Sequence, residues 1–442
     1  PLAVEHVQEL LSDTLWQSRQ DLAPIARFAQ GKTAGNPFFL HRFLHSLVDA
    51  ELLSYDGASG RWSWDLEGIE ALDVTDNVVA FLAERLGRLP ADAREPLEAA
   101  AVAGAVFGLA LLAAALQLPQ ADVRQALRPA LQAGLIEQIQ AFEDDATFRF
   151  LHDRVQQAAY ERTTDATRRA LHRRFGELLL GATDNVGQSE ALFDVVNHLN
   201  AGAWDDPRLA ELNEQAGRRA LSASAYAPAS DYLSRALQLR GPDAWERRPE
   251  SMRTLTETAA RAAYLQSDHE RMEALLQDAE AHARDDLDRV RAQRIRMDAL
   301  IMQNRAADAV AIGLKALRLV GVDLPDAPTE SDIGEGLQAT FARLEGVDLG
   351  ALPERPPPDD AAALLAMELL SGLGPPAYFI NQALVPMLGI ELVRWTLEKG
   401  PTAESSYGFA LLGLVLGDRL LDGDRGALDH ALGLLETKAG NR

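Results

Sequence analysis

Cysteine is absent from this 442-residue chain, which excludes disulfides and cysteine-based zinc sites. The absence of cysteine also fits a cytoplasmic location, which we predict for this protein. Aromatic residues make up only 6% of the sequence, and runs of β-branched residues are rare. Because alanine and leucine dominate instead, we expect a mainly α-helical fold. No uninterrupted apolar run reaches the roughly 18 residues of a membrane span, so the sequence predicts none.

Positive charge is also scarce, since 43 lysines and arginines face 66 aspartates and glutamates and give a net charge of −23. A protein that grips a phosphate backbone normally needs a basic face. We therefore predict no nucleic-acid partner. The length is too great for a single ordinary core and favours two to four domains.

A phosphate-binding loop is missing as well. Such a loop needs Gly-x-x-x-x-Gly-Lys-Ser/Thr, so that backbone N–H groups cradle the phosphate and lysine neutralises it. Gly31-Lys32-Thr33 has the ending, but Ala26 stands where the first glycine belongs. No Gly-x-Ser-x-Gly and no protein-kinase signature occurs either, so we predict no catalytic residue.

Two histidine motifs are too incomplete to predict chemistry. His41 and His45 have a helical metal spacing, but a zinc-protease motif needs glutamate where Arg42 stands, and we predict no metal site. His152-Asp153 lacks an accompanying nucleophile or oxyanion motif. A structural hydrogen-bonded role is the better interpretation of that pair.

The most informative segment that is present runs from Lys32 to Leu40. Gly35 can adopt backbone angles that other residues avoid, Asn36 is a favoured N-cap, and Pro37 is a favoured first helical residue. Apolar residues follow at helical spacing, namely Phe38, Phe39, Phe43, Leu44, Leu47 and Val48. The pattern predicts a tight turn followed by an amphipathic helix that extends to about residue 53.

The rest of the first half predicts small α and β elements. Two helices are expected within residues 1–31, and a hairpin around the turn at 55–60. The predicted elements downstream of these are a helix from about 75 to 89, helices 91–104, 109–116 and 120–133, and strands 134–139 and 147–151. Three helices followed by a hairpin is the winged-helix order. Helices at about 166–180 and 189–200 are expected to connect this region to the second half.

From residue 206 onward, helix pairs recur with small residues at packing positions. The second helices carry matching triplets, namely Ala229, Leu233 and Ala236; Met272, Leu276 and Ala279; and Ala309, Gly313 and Ala316. Their spacing resembles a degenerate TPR repeat, whose units bury their apolar faces by stacking. After a proline-rich connector at 352–360, helices are predicted over 361–373, 379–398, 402–420 and 424–437.

The Lys32–Phe39 motif resembles the segment that opens the lid of STAND-type AAA-like ATPases. More narrowly, it is similar to large sensor kinases in which a Ser/Thr-kinase-like domain, an ATPase module, helical repeats, a GAF domain and a histidine kinase share one chain. Phrases within 150–160, 216–221, 244–247 and 320–325 carry the same resemblance. It implies that Pro37 lies against bound nucleotide, with Gly35 and Asn36 beside it and Lys32 as a further candidate to face the phosphates.

The resemblance also implies domain boundaries and cofactors. We expect an ATPase lid region with a hairpin at 1–74, a winged helix at 75–165, connecting helices at 166–205 and a TPR-like α-solenoid at 206–442. In the family the phosphate loop lies upstream of the lid. We therefore expect this chain to be an internal segment of a longer protein that binds ATP or ADP with Mg²⁺, and to hold no nucleotide alone.

The predicted function is that of a non-catalytic regulatory and sensing segment of a signalling kinase. Its partners would be the upstream nucleotide-binding core, the kinase domains, and a protein or small-molecule effector on the solenoid. The parent protein would be a histidine or Ser/Thr kinase. Two alternatives stay open at this point: a STAND-type transcriptional activator, and a TPR scaffold with a vestigial ATPase.

Overall fold

A computed structural model describes residues 2–33, 35, 37–57, 61–71, 86–140 and 146–421. The chain divides into two compact units, residues 1–205 and 206–442. The fold is mainly α-helical, as predicted, and among the described residues a few short strands occur, all in the first unit. Predictions for Asn36, for most of the helix at 75–89, for the connection between the strands at 134–139 and 147–151, and for the helix at 424–437 lie outside the described residues.

Three helices, a hairpin and a short helix make up the beginning of the first unit. The elements are α1 Val4–Leu15, α2 Arg19–Thr33, α3 Pro37–Asp49, β1 Leu53–Asp56, β2 Arg61–Trp64 and α4 Leu66–Ala71. The two early helices and the hairpin confirm the sequence prediction. The predicted end of α3 near residue 53 is wrong, because Leu53 pairs with Trp64 in the hairpin and Glu51 has a left-handed φ of 59°. Val7, Leu11 and Leu15 are buried in this core.

A three-stranded antiparallel sheet with helices against it follows in the first unit. The elements are α5 Ala91–Ala103, β3 Val106–Gly108, α6 Leu109–Leu116, α7 Gln120–Gln132, β4 Ile136–Gln140 and β5 Thr147–Phe150. The strand order is β3-β5-β4. The predicted break at 104–108 is in fact β3, because Phe107 lies opposite Phe148 on β5 and the two rings stack at 5.7 Å. Sequence spacing alone did not indicate this long-range pairing.

Three further helices complete the first unit, α8 Asp153–Arg162, α9 Asp165–Gly181 and α10 Leu192–Ala201. Helix α9 packs against α5, α6 and α10, and its Phe175 is fully buried in the same core as Phe148. The segment predicted to be a connection therefore closes the core of the sheet region. It does so because one large aromatic side chain fills the space beside the helices.

Helix pairs build the second unit. The elements are α11 Arg208–Ser222, α12 Tyr226–Arg240, α13 Ala244–Arg247, α14 Pro249–Leu265, α15 His269–Ala281, α16 Asp286–Met302, α17 Ala306–Leu319, α18 Glu330–Leu344, α19 Ala361–Ile380, α20 Leu384–Lys399 and α21 Ser405–Leu421. All nine residues of the predicted triplets are buried. Gly217 on α11 shows why small residues recur, since a Cβ there would lie 2.5 Å from Cγ of Leu233 on α12.

Helix α19 differs from the two helices predicted over 361–373 and 379–398. It is continuous from Ala361 to Ile380, with Pro375 and Pro376 inside it. By length and hydropathy α19 is the one helix, in the part of the chain that the structure describes, that meets the criteria for a membrane span. Its mean hydropathy is 1.3 and 56% of the apolar window is buried. Packing against α17 and α20 accounts for that apolar character, so it is weak support for a span.

Candidate functional site

The turn that resembles a nucleotide-binding segment joins α2 to α3. Gly35 lies buried in it with a φ of 69°, a left-handed conformation that favours glycine. Its carbonyl accepts a hydrogen bond from the Leu2 amide, and a Cβ on Gly35 would overlap the Leu2 carbonyl oxygen. The turn therefore requires glycine for two independent reasons. The contact with Leu2 had no signal in the sequence.

The two other described residues of the predicted site flank this turn. Pro37 is the first residue of α3 and is exposed. Lys32 is half-buried in the last turn of α2, and its Nζ lies 5.6 Å from the centroid of the Phe28 ring. The structure thus brings Lys32, Gly35 and Pro37 into one helix–turn–helix connection.

The fit of this turn to a nucleotide is only partial. The Thr33 hydroxyl, which a phosphate loop would direct at a metal ion, is buried and donates to the Ala29 carbonyl at 2.6 Å. Arg27 lies on α2 and its Nε donates to the Ala23 carbonyl within the same helix. Lys32, Gly35 and Pro37 therefore do not by themselves form a phosphate-binding loop.

The remaining sequence candidates have other surroundings. The rings of His41 and His45 lie 4.6 Å apart on the exposed side of α3. Across the described ranges, no group of three or more metal-binding side chains occurs. His152 caps α8, because its Nδ1 accepts a hydrogen bond from the Arg154 amide at 3.2 Å. This is a structural role, with the Arg154 amide as a hydrogen-bond donor to the ring.

A partly buried histidine pair in the first unit was missed by the sequence analysis. His172 on α9 and His198 on α10 approach each other with Nδ1 atoms 2.9 Å apart, and Tyr160 Oη lies 3.1 Å from Nε2 of His172. Burial, reinforced by His198 and Arg168, lowers the pKa of His172 from its ordinary value of 6.5 to about 4. Burial also lowers the pKa of His198, against the opposing effect of Asp194. The residues stand 26 positions apart, so no local pattern could have revealed the pair.

The second unit contains a cavity of about 590 Å³ between successive helices. Its walls come from α11, α14, α16 and α19, and each of these helices contacts the next. The first three are the first helices of the repeat pairs. The stacking that the triplets predict thus also aligns the side chains that face this cavity.

Comparison with known proteins shows that the chain is similar in sequence to a signalling kinase. No family model matches it. The chain is 23% identical over 501 aligned residues to hybrid signal transduction histidine kinase G from Dictyostelium discoideum, with 94% of the chain covered. The matched region is 14% of that kinase's length, so the chain spans a small part of it.

A solved structure also matches along the chain. It is a signal transduction ATPase with numerous domains (STAND) that carries a tetratricopeptide repeat sensor, from Pyrococcus horikoshii. The alignment has 12% identity and covers 99% of this chain and 72% of the other, but its TM-score of 0.29 supports no structural argument. The support for the predicted relationship comes from the kinase, since this chain is similar to a segment of a hybrid signal transduction histidine kinase.

Proposed function

We propose that this chain is a non-catalytic regulatory segment of a multi-domain signalling kinase. The observation that carries the proposal is the similarity to the Dictyostelium histidine kinase over 94% of the chain. The absence from the sequence of a phosphate loop and of protein-kinase motifs supports a regulatory rather than a catalytic role. The kinase activity would then belong to other parts of a longer polypeptide.

The proposed mechanism is a switch controlled by ATP or ADP. The turn at Gly35 and Pro37 would lie against a nucleotide held by a phosphate loop upstream, with Lys32 near the phosphates. The sheet region with α5, α6 and α7 has the element order of a winged helix, and it would move with the lid. The helix pairs of the second unit would bind an effector and shift the equilibrium, which requires different affinities for the two states.

The exposed position of Pro37 supports this assignment, since a ligand can reach its ring without unfolding the turn. The glycine requirement at residue 35 supports it as well, because the left-handed turn fixes the direction in which α3 begins. When bound, the nucleotide would supply charge that differs between the triphosphate and diphosphate forms. The role of the chain would be to sense that difference through Lys32 and the start of α3.

The test compares ATP and ADP binding by a polypeptide that extends upstream through a phosphate loop with binding by the 442-residue chain. The extended protein is expected to bind nucleotide and the shorter chain is expected not to. Pro37→Ala in the extended protein should weaken binding by roughly tenfold, because about 1.4 kcal/mol of contact free energy is lost. Calorimetric titration measures each affinity.

Pro249→Ala is the matched control, since Pro249 also stands at the start of a helix, in the second unit. It should leave nucleotide affinity unchanged. If the extended wild-type protein binds neither ATP nor ADP, the nucleotide switch is wrong. Equal losses from Pro37→Ala and Pro249→Ala would instead show that Pro37 acts only through helix stability.

A further inference from the structure

The cavity of the second unit gathers positive charge in a strongly acidic protein. Four arginines line it, namely Arg218, Arg261, Arg291 and Arg294, against the two carboxylates of Glu257 and Glu368. The arginines come from three helices, α11, α14 and α16, and α19 contributes Glu368. A chain with a net charge of −23 thus has an excess of guanidinium groups around one open pocket.

Three of the four arginines have a carboxylate partner outside the cavity lining. Arg218 pairs with Glu214 at 2.9 Å, Arg291 pairs with Asp288 at 3.0 Å, and Arg294 pairs with Asp298. Arg261 has no carboxylate within salt-bridge distance in the part of the chain that the structure describes. Nε of Arg294 is also buried without a hydrogen-bond partner there. The cavity therefore has donor capacity that the protein itself does not use.

A second cavity of the same unit provides the comparison. It has a volume of about 460 Å³ and contains two arginines, Arg296 and Arg305. Arg296 is held by both Glu273 and Glu280, at 2.9 and 2.7 Å, and Arg305 pairs with Asp308 at 2.6 Å. Its positive charge is already neutralised. Of these two cavities, the first is therefore the one that contains an unpaired guanidinium.

The two carboxylates of the first cavity also differ in whether they have an ion-pair partner. Glu257 pairs with Arg253 at 3.1 Å. Glu368 has no ion pair among the described residues, and burial raises its pKa while Arg294 and Arg261 act to lower it. Glu368 is therefore the group that would compete with an incoming anion for these guanidiniums.

Apolar side chains form the rest of the wall, with Leu221, Ile295, Leu364 and Leu365 in the lining. The volume lies within the range of about 300–1,000 Å³ that small-molecule sites occupy. Guanidinium groups bind carboxylate and phosphate oxygens with charge-assisted hydrogen bonds. A ligand with one acid group and an apolar body matches both parts of the lining.

We propose that this cavity binds a small organic anion, with its carboxylate or phosphate on Arg261 and Arg294 and its apolar body against Ile295 and Leu365. The proposal rests on the effector role given to the repeats above and names the chemical class of the effector. Binding at this cavity requires no nucleotide. Its failure would leave the nucleotide test above untouched, and the reverse also holds.

The test uses the 442-residue chain and calorimetric titration with three probes of similar size, 4-phenylbutyrate, phenyl phosphate and the neutral 4-phenylbutanamide. At least one acid is expected to bind at one site, and the amide at least tenfold more weakly, since a charge-assisted contact is lost. The stronger acid identifies the acid group that the site prefers. Absence of saturable binding by both acids, or equal affinity for acid and amide, would overturn the proposal.

Three variants locate the site. Arg261→Gln should weaken binding of the preferred acid by roughly tenfold, and Glu368→Gln should strengthen it severalfold, because a competing charge is removed. Arg305→Gln, in the already neutralised cavity, should leave the affinity unchanged. Opposite effects of two variants in one cavity cannot result from misfolding. If Arg261→Gln binds like the wild type, the assignment of the anion to this cavity is wrong.

Discussion

The two units of this protein differ in the polar side chains that they bury and in how those side chains are paired. The first contains a partly buried pair, His172 and His198, and partial burial favours the uncharged form of each. Its ion pairs include exposed ones such as Arg19 with Glu9, whose side chains are 60% and 51% accessible. In the second, half-buried arginines bridge helices, as Arg296 does. The first unit thus relies on aromatic packing, and the second combines small apolar contacts with charge networks.

The packing residues give the reason for this difference. Rings from β3, β5 and α9 fill the core of the first unit, where Phe107, Phe148 and Phe175 are buried. One contact cluster of the second unit instead contains alanines, namely Ala260, Ala263, Ala292 and Ala299. Helices that meet through alanine approach closely, so long arginine side chains beside the contact can reach carboxylates on the neighbouring helix.

The largest effect is expected from a substitution in the aromatic core of the first unit. Phe148→Ala should destabilise the first unit by about 3–5 kcal/mol, because a fully buried ring leaves a cavity between α-helices and sheet. Hydrogen exchange followed by mass spectrometry on the full chain reports each unit separately. Faster exchange is expected in peptides from 86–205 and unchanged exchange in peptides from 206–421.

Val106→Ala is the control for that experiment, since Val106 lies on the same sheet but is 50% exposed. It should change stability by well under 1 kcal/mol. A matching loss of protection in both units after Phe148→Ala would show that they unfold together. That result would contradict the view that each unit is stabilised by its own core.

An intermediate effect tests the charge networks. Arg296→Ala should cost about 2 kcal/mol, because Glu273 and Glu280 lose their common partner in a half-buried position. Burial opposes the charge on Arg296, but the hydrogen bonds that it donates to both glutamates outweigh this effect and raise its pKa. Arg19→Ala should cost less than about 0.5 kcal/mol, since its pair with Glu9 is exposed. Urea unfolding, followed by hydrogen exchange in each unit, compares the two variants. Equal losses of unfolding free energy would contradict the conclusion that charge networks stabilise the second unit more than the first.

The last prediction concerns pH. The pKa of His172 in the folded protein is about 4, below its ordinary value of 6.5, so the unfolded chain binds more protons between those values. Stability from the neutral histidine is therefore fully present above pH 6.5 and is lost as the pH falls towards 4. Hydrogen exchange of the first unit should accelerate over this window, and His172→Gln should flatten that dependence.

His6→Gln, which replaces an exposed histidine of the same unit, should keep the wild-type pH dependence. A wild-type first unit that is equally protected at pH 7 and pH 4.5 would be inconsistent with the neutral histidine pair.

Much of the fold followed from local patterns. Helices α1, α2, α6 and α7 lie where apolar spacing and proline positions predicted them, and the hairpin of β1 and β2 lies at the predicted turn. The triplets on α12, α15 and α17 identified buried positions, because stacked helix pairs bury the same offsets in each repeat. Strand β3 and the continuous α19 escaped prediction, since a three-residue strand depends on its distant partner and paired prolines usually end a helix.

The candidate sites also differ in whether a local sequence pattern could reveal them. Lys32, Gly35 and Pro37 were identified from one contiguous motif, and the structure added the Leu2 contact that makes glycine necessary. The histidine pair and the arginine-lined cavity join residues that lie far apart in sequence. Arg218 and Arg294 stand 76 positions apart, and no periodicity relates them.

By itself the sequence determined the helical class, the repeated helix pairs, the glycine turn and the relationship to a sensor kinase, because each depends on neighbouring residues or on similarity along the chain. The tertiary structure alone decided which charges are paired. A guanidinium is neutralised or free according to the carboxylates within about 4 Å, and those distances are fixed only when helices pack. That is why Arg296 and Arg261, alike as sequence letters, differ in what they leave available to a ligand.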